Sequence, residues 1–380
     1  MVARVDPTLI GELKAYGAVG IEKCFNCGNC TAICPLTSDD HPFPRNMIRL
    51  TQLGLRDRLL VSSDPWLCYY CGDCSTTCPR GAEPGETMMS LRRWLTRQYD
   101  WTGLARKFYT SEIWEIGSIG LVGVLVILLF LLFHGPIVTD QVRLNEFAPV
   151  HIVHLLDWIM ACGLLFFLLT NLYRMHNFLM RQHPEVKPSL SLYVSEAWRL
   201  VYHFFTQERF SKCESRQRWV NHMLLVSGYV LMLIMILIFL PWFQTDNLYP
   251  VYHPQRWLGY YATIVILYGA GEALWGRIRK VDQMHRFSHL SDWIFPILLI
   301  LGAVSGILVH TFRYFGLPLP TYYTYAIHLA LMVPMLVLEV PFGKWSHLAY
   351  RPFAIYIQTV IEKALEQRTA REALAPAGSD

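Results

Sequence analysis

The sequence predicts a mainly α-helical protein in which a small cysteine-rich N-terminal domain precedes a bundle of six membrane-spanning helices. Hydrophobic residues form 53% of the 380-residue chain and charged residues only 16%, whereas about 25% charged residues is usual in soluble domains. Eight of the ten cysteines precede residue 79, and the long apolar segments all follow residue 110. The formal net charge of +4 and the scattered basic residues argue against a nucleic-acid partner.

The apolar segments have the length of membrane-spanning helices, since about 20 residues cross the hydrocarbon core. We expect spans near residues 113–134, 150–173, 219–243, 257–276, 292–312 and 322–345. The predicted domains are a cytoplasmic cysteine-rich domain (1–100), an interfacial linker (101–112), the six-span domain (113–350) and a cytoplasmic polar tail (351–380).

The distribution of lysine and arginine predicts the orientation of the spans, because cytoplasmic loops carry an excess of positive charge. Loops 174–218 and 277–291 hold twelve basic residues, and the loops on the other side hold three. We therefore expect the N-terminal domain and both termini to be cytoplasmic. The N-terminal segment has no apolar run of signal-peptide length, so we expect the cysteines to stay reduced.

Two cysteine runs share the spacing C-x2-C-x2-C-x3-C-P: CFNCGNCTAICP and CYYCGDCSTTCP. Bacterial two-cluster ferredoxins use this spacing, and the fourth cysteine of each run binds the other cluster. The spacing therefore predicts a ferredoxin-like helical domain that holds two 4Fe–4S clusters. Cluster 1 would be bound by Cys24, Cys27, Cys30 and Cys78, and cluster 2 by Cys68, Cys71, Cys74 and Cys34.

A zinc site is the alternative for these cysteines, although zinc sites usually combine two C-x2-C pairs rather than two four-cysteine runs. Structural disulfides are disfavoured by the expected reducing compartment. The isolated Cys162 and Cys213 are expected to be a buried small apolar residue and a loop thiol.

Histidines near the ends of the predicted spans are candidate haem ligands, because polar groups inside a membrane usually have a function. His328 and His347 are 19 residues apart in the last predicted span, which corresponds to about 28 Å of helix at 1.5 Å per residue. Since the hydrocarbon core is about 30 Å thick, we expect this one helix to present an imidazole near each membrane face. The arrangement predicts a cytochrome b bundle with two haem b groups.

Each haem needs a second axial ligand from another span. We expect His222 to pair with His347 at the inner haem. At the outer haem, His310 and His154 compete as the partner of His328. Two histidine ligands leave no open position on the iron, so such haems carry electrons. An interfacial role is the alternative for any single one of these histidines.

Three charged residues in or beside the spans are candidates for quinone, proton or propionate contacts. Asp157 follows His154 by three residues and Arg313 follows His310 by three, so each shares a helix face with a candidate ligand. Glu272 lies inside the fourth predicted span, where a carboxylate can accept a proton. A structural hydrogen bond is the alternative, above all for Glu272.

The membrane half resembles known dihaem cytochromes. The ending PFGKWSH, with His328 upstream, is similar to the final span of the gamma subunit of respiratory nitrate reductase, a membrane cytochrome with two b haems. This chain differs from that family by one additional span and by Met232, which stands where the family has a second histidine ten residues after His222.

The whole chain resembles a fusion of two further proteins. Its N-terminal domain is similar to the C subunit of heterodisulfide reductase, and its membrane half to the E subunit. A single chain with both parts, and with the stretch PWLCYYCGDCSTTCPRGAEPGETMMSLRRW, resembles the C subunit of the quinone-interacting membrane-bound oxidoreductase complex of sulfate-reducing bacteria. The resemblance implies the bacterial inner membrane, menaquinol as redox partner, flavin-containing A and B subunits, and adenylylsulfate reductase as electron acceptor.

These observations predict an electron-transfer subunit of a quinone-dependent oxidoreductase, with no substrate site of its own apart from a quinone pocket. A heterodisulfide-reductase-type subunit that couples a membrane carrier to disulfide reduction is the alternative within this class. A membrane-anchored redox sensor is the alternative from another class. The direction of electron flow is not encoded in the spacing of the ligands.

Overall fold

The computed structural model describes residues 4–213 and 215–374, which are mainly helical. Short helices surround the two cysteine runs in the N-terminal part of the chain. These helices are α1 (Leu9–Lys14), α2 (Asn29–Ile33), α3 (Arg45–Gln52), α4 (Arg56–Leu60), α5 (Asp64–Leu67), α6 (Asp73–Thr76), α7 (Pro84–Tyr99) and α8 (Leu104–Thr110).

Both cysteine runs fold in the same way, because the same backbone conformations recur at matching positions. Gly28 and Gly72 have φ angles of 94° and 90° and begin α2 and α6. Such positive φ angles are easily reached only by glycine. Asn26 and Tyr70, two residues earlier in each run, are also left-handed, with φ of 61° and 60°. The turn before each short helix therefore presents its cysteines on one concave side.

The membrane half contains the long helices. They and their connections are α9 (Glu112–Phe133), α10 (Leu144–Phe147), α11 (Val150–Met180), α12 (Leu190–Glu196), α13 (Trp198–Thr206), α14 (Glu208–Ser211), α15 (Arg216–Leu237), α16 (Leu240–Phe243), α17 (Pro254–Arg279), α18 (Gln283–Arg286), α19 (Ser291–Tyr314), α20 (Pro318–Pro334) and α21 (His347–Leu374).

Five segments are long and apolar enough to cross a membrane: α9, α11, α15, α19 and α20 with its continuation to Glu339. Five of the six expected spans are thus found as apolar helices of sufficient length. The remaining expected span, 257–276, lies in α17, a 26-residue helix that packs between α15 and α19. Its glutamate, glycine and tyrosine residues lower its hydropathy, and its role as a sixth span stays a prediction.

The last predicted span is broken rather than continuous. Helix α20 ends at Pro334 and continues as a π-helical turn over Met335–Glu339. A short 3₁₀ turn, Lys344–Ser346, then leads into α21, which begins at His347. The expectation that His328 and His347 share one helix is therefore wrong. Pro341 explains the break, because proline has no N–H for a helical hydrogen bond.

The C-terminal segment is an integral part of the N-terminal domain, which corrects the expected polar tail over 351–380. Helix α21 buries Tyr350, Ala354, Ile357 and Val360 in the same hydrophobic core as α1 and α7. Only its last turns, after Ala364, are mostly exposed. Residues 375–380 lie outside the part of the chain that the structure describes.

A buried ionic cluster fastens the N-terminal domain to the bundle. Arg93 on α7 donates from Nη2 to Asp292 Oδ2 at 2.9 Å, and Asp292 also pairs with Lys344. The three side chains meet at the start of α19, and Asp292 and Arg93 are almost fully buried. The cluster holds α7, which carries residues of both cysteine sites, against the inner end of the bundle.

Candidate functional site

The first cysteine site is a cavity of about 290 Å³ lined by Cys24, Cys27, Cys30 and Cys78. Three of these cysteines come from the first run and the fourth comes from the end of the second run. Cys27 is exposed, and Arg45 from α3 also lines the cavity. The first site thus lies open to solvent on one side.

The second cysteine site is a cavity of about 490 Å³ lined by Cys34, Cys68, Cys71 and Cys74. Here the second run supplies three thiols and the first run supplies the last. The structure therefore brings together the same two sets of four cysteines that the spacing predicts. Binding of a cluster by each set stays a prediction.

Both cavities fit a cluster better than a single metal ion. The eight cysteines are free thiols. Among the residues that the structure describes, no three cysteine, histidine or acidic side chains converge at the spacing that one ion needs. The thiols therefore surround a volume, as cluster ligands do, whereas zinc ligands meet at a point.

Backbone amides point at the sulfur atoms of both sites. The N–H of Asn26 donates to Cys24 Sγ at 3.4 Å, and the N–H of Tyr70 donates to Cys68 Sγ at 3.3 Å. These are the left-handed residues of the two runs, so the turn aims the amide at the thiol. Hydrogen bonds of this kind favour an ionised sulfur, which is the form that binds iron.

A histidine cavity of about 300 Å³ lies next to the second cysteine site. Its lining includes His222 from α15, His347 from the start of α21, and Tyr69. His347 Nδ1 lies 2.6 Å from the carbonyl oxygen of Lys344. This hydrogen bond fixes the tautomer that leaves Nε2 free as a ligand. His222 Nδ1 is buried without a partner among the described residues.

The two imidazoles fit an inner haem, because they approach one cavity from different helices and the remaining walls are largely apolar. Phe204, Leu348 and Ile355 line the cavity together with Arg351. A haem has the same requirements, since its ring is apolar and its propionates are anionic.

The candidate ligands of the outer haem have separate partners. His328 Nδ1 lies 2.9 Å from Ser305 Oγ, an arrangement that leaves Nε2 free. His310 Nε2 lies 2.9 Å from the hydroxyl of Tyr260, and His154 Nε2 lies 2.9 Å from the carbonyl of Leu237. Either competitor must therefore exchange its present partner before it can bind iron, and the choice between them stays open.

The candidate charged residues lie on three different helices. Asp157 on α11 is half-buried, whereas Glu272 on α17 is exposed at the surface of the bundle. Arg313 on α19 is buried and donates to the carbonyl of Asn247 at 3.1 Å. The expected support of His154 by Asp157 is replaced by contacts of that imidazole with Leu237 and Trp158.

The isolated cysteines differ from expectation. Cys213 is more than a loop thiol, because it lines the second cysteine cavity. The approach of its side chain is the main reason why the pKa of Cys71 is raised. Cys162 was expected to be buried but is exposed on the surface of α11, where the neighbouring exposed residues are apolar. Such a surface suits contact with lipid.

Three further residues of these sites were missed by sequence reasoning. Arg351 and His203 line the histidine cavity, and Arg92 lies beside Cys68. Only Arg351 left a signal in the sequence, since it follows His347 by four residues and therefore shares its helix face. That signal is legible only once α21 is known to begin at His347.

Comparison with known families agrees with this geometry. Residues 20–82 match the model of the 4Fe-4S dicluster domain, a range that contains both cysteine runs. The N-terminal part of the protein is therefore a dicluster iron–sulfur domain.

The most informative relatives are iron–sulfur proteins. A protein of Archaeoglobus profundus that is named as similar to the C subunit of heterodisulfide reductase is 37% identical over 88 residues, which cover 23% of this chain and 47% of the relative. The C subunit of the H(2):CoB-CoM heterodisulfide,ferredoxin reductase of Methanothermobacter marburgensis is 34% identical over 64 residues, which cover 17% of this chain and 35% of the relative. The chain thus spans about half or less of these relatives. No solved structure matches the chain.

These similarities support electron transfer through iron–sulfur centres, in a subunit of a larger oxidoreductase. They cover the N-terminal domain and leave the membrane half to be interpreted from its own residues.

Proposed function

We propose that the protein is the membrane-bound electron-transfer subunit of a respiratory complex and passes electrons between menaquinol and soluble partner subunits. Two haem b groups in the bundle and two 4Fe–4S clusters in the N-terminal domain would supply one-electron transfer when bound. The observation that carries the proposal is Tyr69, which lines both the histidine cavity and the second cysteine cavity. The membrane-facing site and the iron–sulfur domain therefore share a wall.

The two cysteine sites are joined by the short helices. Cys30 lines the first cavity and Cys34 the second, and four residues of helix correspond to about 6 Å along the axis. Cys74 and Cys78 make the same connection in the opposite direction. The sites thus follow one another in the order histidine cavity, second cysteine site, first cysteine site, solvent.

In this proposal each residue set has one task. His222 and His347 hold the inner haem, and His328 holds the outer haem with either His310 or His154. Asp157, Arg313 and Glu272 are the candidates that contact quinone, take up protons or bind propionates, since quinol oxidation releases two protons for every two electrons.

The exposed first site is the side on which partner subunits would dock, because Cys27 is accessible there. We propose flavin-containing A and B subunits as these partners and adenylylsulfate reductase as the acceptor beyond them, which places the protein in sulfate respiration. The positive charge of loops 174–218 and 277–291 supports a cytoplasmic position of this domain at the bacterial inner membrane.

A heterodisulfide-reductase-type complex is the second candidate, and the names of the relatives favour it. In that case the same chain would exchange electrons with subunits that reduce a disulfide. The cofactor sites would be identical in both cases, so the identity of the co-purified partner subunits distinguishes them.

Redox-titrated optical and electron paramagnetic resonance spectroscopy of the purified full chain tests the proposal. We expect the absorption bands of two reduced b haems and the signals of two 4Fe–4S clusters in one preparation. A protein with clusters but without b-haem bands would overturn the membrane half of the proposal.

A further inference from the structure

Two buried arginines lie beside the second cysteine site. Arg92 on α7 is 6% exposed and Arg351 on α21 is 9% exposed. Removing a guanidinium from water is unfavourable unless an anion compensates for its charge. The partners of these two side chains therefore decide what they are for.

Arg351 contacts neutral groups. Its Nε donates to the carbonyl of Trp66 at 3.2 Å, and its Nη2 donates to the carbonyl of Cys68 at 3.1 Å. The guanidinium also lies over the ring of Tyr69, 4.1 Å from its centre. Arg351 thus holds the backbone of the second cysteine run and keeps its positive charge at the wall between the histidine cavity and the second cysteine site.

Arg92 is also held by neutral groups. Its Nε donates to the carbonyl of Pro65 at 2.6 Å and its Nη1 contacts Met89 Sδ at 3.3 Å. Its Nη2 is buried without a hydrogen-bond partner among the described residues. Burial and the charge of Arg351 lower the pKa of Arg92 to about 9, whereas the neighbouring Cys68 raises it. The guanidinium is thus a cation with an unused donor next to a predicted cluster ligand.

The first cysteine site has a different electrostatic environment. Its cationic lining residue, Arg45, is only half-buried, and the exposed Cys27 brings water close to the thiols. Water screens charge far better than protein does. A cation therefore has a weaker influence on the first site than on the second.

We propose that Arg92 and Arg351 compensate the negative charge of the cluster at the second cysteine site and so give it a higher reduction potential than the first. The inference rests on the proposed function, because it requires that both sites hold clusters. Four thiolates make such a cluster anionic, and one-electron reduction adds a further negative charge. Fixed cations nearby stabilise the reduced form more than the oxidised form.

Arg92 and Arg351 act on the cluster through the cysteines and are positioning residues in this proposal. Their Met variants remove the charge while keeping much of the side-chain volume. Their Lys variants keep the charge and lose the planar set of donors. Arg45→Met is the matched control at the first site.

The experiment is a redox titration of the full-length protein, followed by electron paramagnetic resonance, for the wild type and these five variants. The iron content and the two cluster signals of the wild type are measured first. Their absence would overturn the proposed function itself, and with it this inference.

With both clusters present, we expect Arg92→Met and Arg351→Met to lower the midpoint potential of one cluster and leave the other unchanged. Arg92→Lys and Arg351→Lys should recover most of the shift, and Arg45→Met should move only the other cluster, by a smaller amount. Unchanged potentials in both Met variants, or equal shifts of both clusters, would overturn the inference. Should one Met variant fail to assemble, the potential of its Lys counterpart gives the same comparison.

Discussion

The two cysteine sites have the same sequence pattern and the same local backbone, yet their surroundings are different. The first site includes the exposed Cys27 and the half-buried Arg45. The second is covered by Cys213 and Arg209 and lies against the bundle, where Tyr70 donates its hydroxyl proton to the carbonyl of Met284 at 3.0 Å. Binding chemistry is thus repeated within the domain, and the position of each site relative to membrane and solvent differs.

The difference indicates how a symmetric ferredoxin pattern becomes directional. Ligand spacing alone makes two equivalent sites. The contacts of the second site with α15, α18 and α21 place it next to the histidine cavity, while the first site keeps a face for partner subunits. Four predictions test this comparison.

Crossed ligation has the largest expected effect. Cys34→Ala should abolish the signal of the second cluster, although Cys34 belongs to the first run, and Cys78→Ala should abolish that of the first. The reason is that each fourth cysteine lines the cavity of the other run. Iron analysis and electron paramagnetic resonance of both variants check this. Loss of the cluster of the same run in either variant would mean that ligation is not crossed.

The histidine cavity gives the next largest effect. His347→Ala should remove one of the two b haems and leave both clusters in place, because His347 Nδ1 is fixed by the Lys344 carbonyl and its Nε2 has no competing role. The haem content per iron–sulfur signal is the measurement. His203→Gln, on the same cavity wall, is the control and should retain both haems. A full haem complement in His347→Ala contradicts the assignment.

The buried ionic cluster at the junction gives an intermediate effect on stability. Asp292→Asn leaves Arg93 and Lys344 buried without a carboxylate partner, so we expect a loss of about 3–5 kcal/mol. Thermal denaturation of the protein in detergent, followed by release of the clusters, measures the change.

The control for this prediction is Glu22→Gln, which breaks an exposed ion pair with Lys14. Exposed pairs contribute only about 0–1 kcal/mol. Equal stability of the Asp292 and Glu22 variants would mean that the N-terminal domain does not depend on the junction.

The smallest expected effect is a difference in the rate of cluster loss. An iron chelator added under oxidising conditions should remove the first cluster before the second, because Cys27 is open to solvent. Arg218→Met should narrow the difference, since Arg218 donates to the carbonyl of Cys71 and helps to cover the second site. The decay of the two signals is the readout. Faster loss of the second cluster in the wild type would reverse the comparison.

The cysteine sites could be predicted from the sequence because their ligands lie in short runs whose spacing fixes the local geometry. The grouping of Cys34 with the second run and of Cys78 with the first follows from that spacing alone. The surroundings of the sites could not be predicted in this way. Cys213 and Arg351 reach the second site from distant parts of the chain, and no local pattern records such a contact.

The membrane half shows the same limit. Apolar length identified five helices of spanning size, and the structure places His222 and His347 on one cavity. The break after Glu339 was not predicted, since hydropathy does not distinguish a continuous helix from one that is interrupted by Pro341. The packing of α21 into the N-terminal domain was missed because its exposed charges hide a buried face of apolar residues.

The central claim is the order of sites from the bundle to the solvent, and re-oxidation of the reduced protein in liposomes tests it most directly. The chain is reduced, freed of reductant and exposed to menaquinone confined to the lipid, and the first cluster is followed by freeze-quench electron paramagnetic resonance. We expect rapid re-oxidation in the wild type and strongly delayed re-oxidation in Cys34→Ala, which lacks the second cluster. Equal rates in the two proteins would contradict the order of sites.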